Sequence, residues 1–223
     1  IQNWSDTKLV YPVSPADNPL RHDWGLDGKF VAGYSGNLGR AHEYQTFLDA
    51  IAQTEARSHL VRWLFIGGGA LFEDFKEQVA KRGLSSVVFK PYQPRDQLAL
   101  SLSAADVHLV SLRPELEGLI VPSKFYGVAA AGRPTIFIGD AQGEIARLLR
   151  SNACGDTVPM GDGAALAAKI LEFAEHPDRS AQMGDNARQL SEAKLDRLHA
   201  ADEWAKLLDE IAGNQSSGPN PSR

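Results

Sequence analysis

The sequence predicts an α/β fold, a doubly wound parallel sheet with helices on both faces and a helical C-terminal tail. Three observations lead there. Short apolar runs alternate with helical periods from residue 30 to residue 159. The runs are apolar throughout, as strands covered on both faces must be. After residue 162 only the helical period persists.

Residues 1–28 ("IQNWSDTKLVYPVSPADNPLRHDWGLDG") hold no sustained period and are broken by Pro12, Pro15 and Pro19. They read as a linker with one helical turn, closed by the turn residues of "GLDGKF". "FVAGYS" (30–35) is a buried strand. A helix over 41–53 follows, because Tyr44, Phe47, Leu48 and Ile51 fall at i, i+3, i+4 and i+7 and make one apolar stripe. "VRWLFIG" (61–67) is a strand, and Leu71, Phe72, Phe75 and Val79 give the next helix its inner face. "SVVFK" (86–90) is a short strand, and 94–105 a helix with Pro94 in its first turn. "VHLVSL" (107–112) and "TIFIG" (135–139) are strands with a loop and a small-residue helix between them. A helix over 143–153 and a strand at "DTVP" (156–159) complete the alternation. Helices over 163–175, 178–195 and 197–212 close a domain of 29–212, and the polar tail 213–223 is expected to be disordered.

The composition narrows the function. In 223 residues, 43% of them hydrophobic, there is material for one well-buried core. A net charge of −5 offers nucleic acid no basic field. The single Cys154 excludes an internal disulfide framework and a cysteine-cluster metal site, and suits a reducing cytoplasm. No apolar run approaches the roughly 20 residues of a spanning helix. The chain starts at Ile1 without a signal-peptide pattern, and reads as a piece of a longer polypeptide or a trimmed form.

Ligands of doubly wound sheets bind beyond the carboxyl ends of the strands, so the loops there are where function is sought. In "GYSGNLGRAH" (33–42), Gly33, Gly36 and Gly39 recur every three residues between a strand and a helix. Glycines let the backbone approach a ligand, amides at a helix start attract an anion, and Arg40 is placed to clamp a phosphate. This reading is favoured over a tight turn with a surface arginine. A nicotinamide dinucleotide site is disfavoured: the second strand ends "FIGGG" without an acid, and the spacing is not G-x-G-x-x-G. The glycines of "IGGGALFEDF" (66–75) fit ligand access and helix–sheet packing equally. In "FKPYQPRDQL" (89–98), Lys90 and Tyr92 could wall a base pocket or belong to a proline-rigid surface loop.

The stretch "EGLIVPSKFYGVAAAGRP" (117–134) gathers the most anion-binding features. Pro122 presets a first helical turn, with Ser123 and Lys124 beside free amides at its mouth. Glu117 could accept hydrogen bonds from sugar hydroxyls. "VAAAG" allows close approach of the helix to the sheet, Gly132 caps it and Pro134 stops it. The plainer alternative is an ordinary Ser-Lys helix start.

Taken in order, "GYSGNLGRAHEYQTFLDAI", "LFIGGG", "VVFKPYQPRDQL", "SAADVHLVSL" and "GLIVPSKFYGVAAAGRP" resemble the C-terminal, donor-binding domain of GT-B-fold glycosyltransferases of retaining family 4. The bacterial exopolysaccharide, colanic-acid type branch is the most similar. The resemblance implies a Rossmann-like single half of a GT-B enzyme that binds a UDP- or GDP-sugar. It implies that Gly36, Asn37, Gly39 and Arg40 lie near the donor diphosphate, and Lys90 and Tyr92 near the base. Amides at Leu119, Ile120 and Val121, with Ser123, would face phosphate. Glu117 would be the first acid of the family's paired-glutamate motif. Glu117, Arg40 and Lys124 are thus the residues expected to act in catalysis. Arg40 and Lys124 would offset charge on the leaving diphosphate, so no metal is expected.

Three features depart from the family pattern. The second glutamate's position holds Gly127, two extra residues ("SK") precede it, and His42 stands where many relatives carry lysine. His42 could donate to a phosphate, and is expected rather as a solvated helix residue. Expected partners are the nucleotide sugar and an acceptor domain N-terminal to this chain. The full enzyme would be cytoplasmic, with peripheral contact at the inner membrane face. Trp204, Leu207 and Leu208, on a last helix that often crosses back in relatives, would expose apolar area. The chain alone would bind donor and turn over little. Two alternatives stay open: a sugar-nucleotide epimerase of the same architecture, and a non-catalytic nucleotide or interaction module.

Overall fold

Six parallel strands carry the apolar runs: β1 (Phe30–Asn37), β2 (Val61–Gly68), β3 (Val87–Lys90), β4 (Val107–Ser111), β5 (Thr135–Ile138) and β6 (Gly155–Val158). They lie in the order β3-β2-β1-β4-β5-β6, so the chain reverses its direction of winding between β1 and β4. The computed structural model describes residues 2–215, with side chains to residue 212. Nine helices appear among the described residues: α1 (Pro19–Asp23), α2 (Gln45–Arg57), α3 (Phe72–Lys81), α4 (Leu98–Ser103), α5 (Lys124–Ala130), α6 (Glu144–Asn152), α7 (Gly163–Glu175), α8 (Pro177–Lys194) and α9 (Arg197–Gln215). Residues 213–215 of the tail close α9, and the rest of 213–223 lies outside the described residues.

Alternate residues of each strand enter opposite layers, which is why the strands read as unbroken apolar runs. Tyr34, Trp63, Phe65, Leu109 and Ile136 join Phe47, Ile51, Phe75 and Ile170 from α2, α3 and α7 on one face. On the other face, Val110 and Phe137 pack with Phe125 and Tyr126 of α5, Ile145 of α6 and Leu190 of α8. Val31, Leu64 and Ile66 meet Leu26, Ala104 and Ala105 there. The alanines of α5 serve this layer. Ala129, Ala130 and Ala131 are buried, and Gly184 of α8 lies close to the Gly132 carbonyl.

Two helices start later than their periodicity indicates. α2 begins at Gln45 because the His42 amide closes on the Gly39 carbonyl at 3.0 Å, and the Glu43 carboxylate then caps the Thr46 amide at 3.1 Å. Tyr44 therefore precedes the helix, but its ring still packs on Phe75. Pro94 opens a 3₁₀ turn over Arg95–Gln97, and α4 follows it.

The linker expected over 1–28 is instead built into the domain from Ser5 onward. Ser5 pairs with the α8–α9 junction through its amide to Leu195 and its carbonyl from Arg197, both at 3.0 Å. Arg188 of α8 donates to the carbonyls of Thr7, Val10 and Ala130. Arg21 of α1 is buried. It donates to the Ala104 and Lys29 carbonyls and pairs with Asp106 at 2.9 Å. Asp106 in turn accepts from the Val31 amide at 2.7 Å, which fixes the start of β1.

Arg21→Met is expected to leave the Asp106 charge without its partner and to cost roughly 3 kcal/mol. The thermal midpoint should then drop by roughly 10 °C, as calorimetry would read. An unchanged midpoint would mean that the leading segment contributes nothing to the fold. A second test concerns acid. His108 of β4 is fully buried, with Nε2 donating to the Leu102 carbonyl at 2.8 Å and Nδ1 without a partner among the described residues. Burial pushes its pKa down to about 4. Its stabilising effect is whole above the unfolded value near 6.5 and declines as pH falls from there to about 4, by on the order of 3 kcal/mol. Denaturant unfolding of His108→Gln, whose amide keeps the donor, should show a shallower acid slope than the parent chain.

Candidate functional site

β1 pairs with β2 along all eight of its residues, from Phe30↔Val61 to Asn37↔Gly68. With β4 it pairs only at Ala32↔Val107 and Gly33↔His108. Beyond Gly33 the two strands part, and the loops that follow them enter between their carboxyl ends. This is the topological switch point, where doubly wound sheets hold ligands.

Three side chains join the two loops. At the end of β4, the Ser111 carbonyl accepts from His42 Nδ1 at 2.7 Å. His42 Nε2 stands 3.0 Å from the Lys124 ammonium at the start of α5. An ammonium has only donors to offer, so Nε2 must accept and Nδ1 must carry the proton. The Lys124 stem lies over Gly36, where a Cβ would be 2.9 Å from Cε, and its ammonium is 5.2 Å from the Tyr34 ring centroid. Gly36 has φ +128, a region that side chains avoid, so both its conformation and the overlying lysine require glycine. Burial and then the Lys124 charge push His42 down to about 4. Burial alone lowers Lys124 to about 8. At neutral pH the imidazole is therefore uncharged and the lysine mostly protonated. His42, expected as a solvated helix residue, is instead buried in the turn before α2.

The other residues of the first loop lie nearby. Asn37 is exposed and lies against Gly39 and Gly69, and Leu38 bonds to the end of β2 through its amide to the Gly68 carbonyl at 2.7 Å. Arg40 is exposed, and among the described residues its guanidinium has no hydrogen bond or ion pair. Its carbonyl is held by Arg113 Nε at 3.1 Å, which also reaches the His42 carbonyl at 3.2 Å. Arg113 thus fixes the turn that carries Arg40. Sequence reasoning missed it, and its position two residues past the end of β4 was the available signal.

The glycines at the end of β2 serve packing. The exposed Tyr92 ring lies against Gly67 and Gly68, whose Cβ positions would be 3.1 and 3.3 Å from it. A side chain at Gly67 would also collide with the Gly36 carbonyl. Lys90, at the end of β3, holds its ammonium 5.4 Å from the Trp24 ring centroid, so it is engaged with the leading segment.

The turn over 117–124 differs from expectation in its amides. Those of Leu119 and Ile120 both close on the Leu116 carbonyl, at 3.0 and 3.1 Å, and are not free. The amides of Val121, Ser123 and Lys124 have no acceptor among the described residues. The side chains of Leu119, Ile120 and Val121 are exposed, and Ser123 makes no capping bond. Glu117 is seated on the amino end of α6. It accepts from the Glu144 amide at 3.4 Å and lies across Gly143, and its Oε1 is buried without a partner. The helix's positive end favours a carboxylate there. Gly127 is half-buried, with Leu102 the nearest group to where a side chain would begin. The structure therefore gathers Gly36, His42, Tyr34 and Lys124, with Arg40, Asn37 and Gly39 on the adjoining loop. A hollow of about 380 Å³ lined by Phe30, Arg57, Leu60 and Leu171 lies at the opposite, amino edge of the sheet.

Residues 18–190 match the sequence model of the family described as Glycosyl transferases group 1. A probable glycosyltransferase, WbjE, of Pseudomonas aeruginosa is 32% identical over 175 residues, which are 78% of this chain and 43% of that protein. The O-antigen chain mannosyltransferase C of Escherichia coli is 24% identical over 225 residues, 97% of this chain and 58% of that protein. The chain spans about half the length of the curated relatives it matches. Among solved structures, Anabaena HepE in complex with UDP and glucose superposes with a TM-score of 0.79 at 20% identity, over 94% of this chain and 56% of that one. That likeness is one of fold. Family match and sheet order together place this chain in the glycosyl transferases group 1 family, as a Rossmann-like domain of the GT-B type.

Proposed function

We propose that this chain is the C-terminal, donor-binding half of a retaining family 4 glycosyltransferase of the exopolysaccharide type. It takes a UDP- or GDP-sugar, and the whole enzyme transfers the hexosyl group to a glycan or lipid-linked acceptor. The observation that carries the proposal is the Lys124 ammonium, part-buried over the bare backbone of Gly36 and held by a neutral acceptor at the switch point. Free amides of Val121, Ser123 and Lys124 adjoin it. Such a cluster suits the pyrophosphate of a nucleotide sugar. The relatives' names, glycosyltransferase and mannosyltransferase, support the reaction class. The UDP bound in a protein of the same fold supports the ligand class.

As the sugar–oxygen bond breaks, its electron pair passes to the diphosphate. Lys124, Arg40 and the free amides stabilise that charge, without a metal in this proposal. Tyr92 offers a flat, exposed ring for the base, and Glu117 accepts a hydroxyl of the transferred sugar. The acceptor belongs to a further domain, which the exposed Trp204, Leu207 and Leu208 of α9 would meet, so this chain alone turns over little. The enzyme would work in the cytoplasm at the inner membrane face. No helix among the described residues is long and apolar enough to cross a membrane. Gly127, where an acid was expected, favours a second reading, a non-catalytic nucleotide-binding module.

Calorimetry with UDP, GDP and their sugars tests the donor site that both readings share. One nucleotide should bind at micromolar to millimolar concentration, and Arg40→Ala and Lys124→Ala should each weaken it by about 10-fold to 100-fold, as for a charge-assisted hydrogen bond. Affinity should fall as pH rises through about 8, where Lys124 loses its proton. Silence with every nucleotide at millimolar concentration would remove the donor reading.

A further inference from the structure

We infer that His42 is a positioning residue: a neutral imidazole, oriented by the Ser111 carbonyl, that holds the Lys124 ammonium over Gly36 in the place where a pyrophosphate is bound. The inference rests on the donor reading above and adds to it the group that sets the lysine in place. An unrestrained lysine has four rotatable bonds, and fixing it costs rotamer entropy. Here the stem lies on Gly36 and the ammonium is held at 3.0 Å by Nε2, so much of that ordering is complete before a ligand arrives.

The chemistry of the acceptor matters as much as its position. A carboxylate in place of His42 would neutralise the ammonium, and a phosphate would have to displace an ion pair. A neutral nitrogen orients the lysine and leaves its charge for the ligand. The surroundings keep the ring neutral. Lys124 faces it from α5, Arg113 holds its carbonyl from the loop after β4, and the Tyr34 ring lies edge-on at 6.1 Å from β1. Among the described residues no carboxylate forms an ion pair with Lys124 or His42. The Nδ1–H bond to Ser111, 2.7 Å long, selects the tautomer that turns a lone pair toward the lysine.

The test is a double-mutant cycle read by calorimetry with UDP and with GDP. His42→Leu fills the space without an acceptor, and is expected to weaken binding about 5-fold to 10-fold, since the ammonium stays charged but loses its orienting bond. Added to Lys124→Met it should weaken binding no further, whereas added to Arg40→Ala it should bring its full loss. His42→Gln, which carries an acceptor oxygen, should recover most of the affinity. Nitrogen-15 NMR should show His42 neutral with Nδ1 protonated at pH 7. Equal losses in the Lys124→Met and parent backgrounds, or a His42 that is charged or protonated at Nε2, would overturn the inference and leave the donor reading standing. A parent chain that binds neither nucleotide would overturn both.

Discussion

The brevity of the pairing between β1 and β4 governs the rest of the molecule. Two residues in register join the halves of the sheet, against eight between β1 and β2. Gly33 makes even that contact possible, since a side chain there would collide with Ala105 and press on the His108 imidazole. Past this point each strand end is free to bond elsewhere. The Ser111 carbonyl turns to an imidazole, and the turn carrying His42 moves in between the strands. Had the ladder continued, that carbonyl would have faced a β1 amide and the two loops would have had no common partner.

Guanidinium groups do comparable work at a distance from the site. Arg21 and Arg188 each gather backbone carbonyls from segments far apart in sequence. A planar fork with several donors suits this task better than a point charge. Arg188 links the leading segment, α5 and α8 in one cluster, so the helix that presents Lys124 is braced from behind. The small residues of α5 make the same point, because Gly184 of α8 comes close to the Gly132 carbonyl just past the carboxyl end of the helix.

The fold was legible in the sequence because strands covered on both faces read as mostly apolar runs, and "WLFI" or "TIFI" fits little else. The site was legible in part. Glycine spacing and the "PSK" helix start pointed to the loops that converge at the switch point. What escaped depends on tertiary partners. The start of α2 is set by a carboxylate cap from Glu43, and its apolar stripe runs past that boundary. The role of His42 depends on a carbonyl 69 residues away. The amides of Leu119 and Ile120 were expected to be free, yet a local turn closes on Leu116, which periodicity does not reveal. Glu117 sits at the start of a helix 27 residues downstream, a contact that no local pattern announces.

Lys124 bears its charge among neutral neighbours in a chain that is otherwise acidic, with a net −5. The two signs act over different ranges. A polyanion approaching through bulk solvent meets an overall repulsive molecule, and the lysine dominates only within about a Debye length, ~8 Å in physiological salt. Attraction is therefore confined to the last steps of the encounter. Dissolved ions should hasten the approach while they loosen the complex, so both rate constants should rise with ionic strength, with opposite effects on affinity.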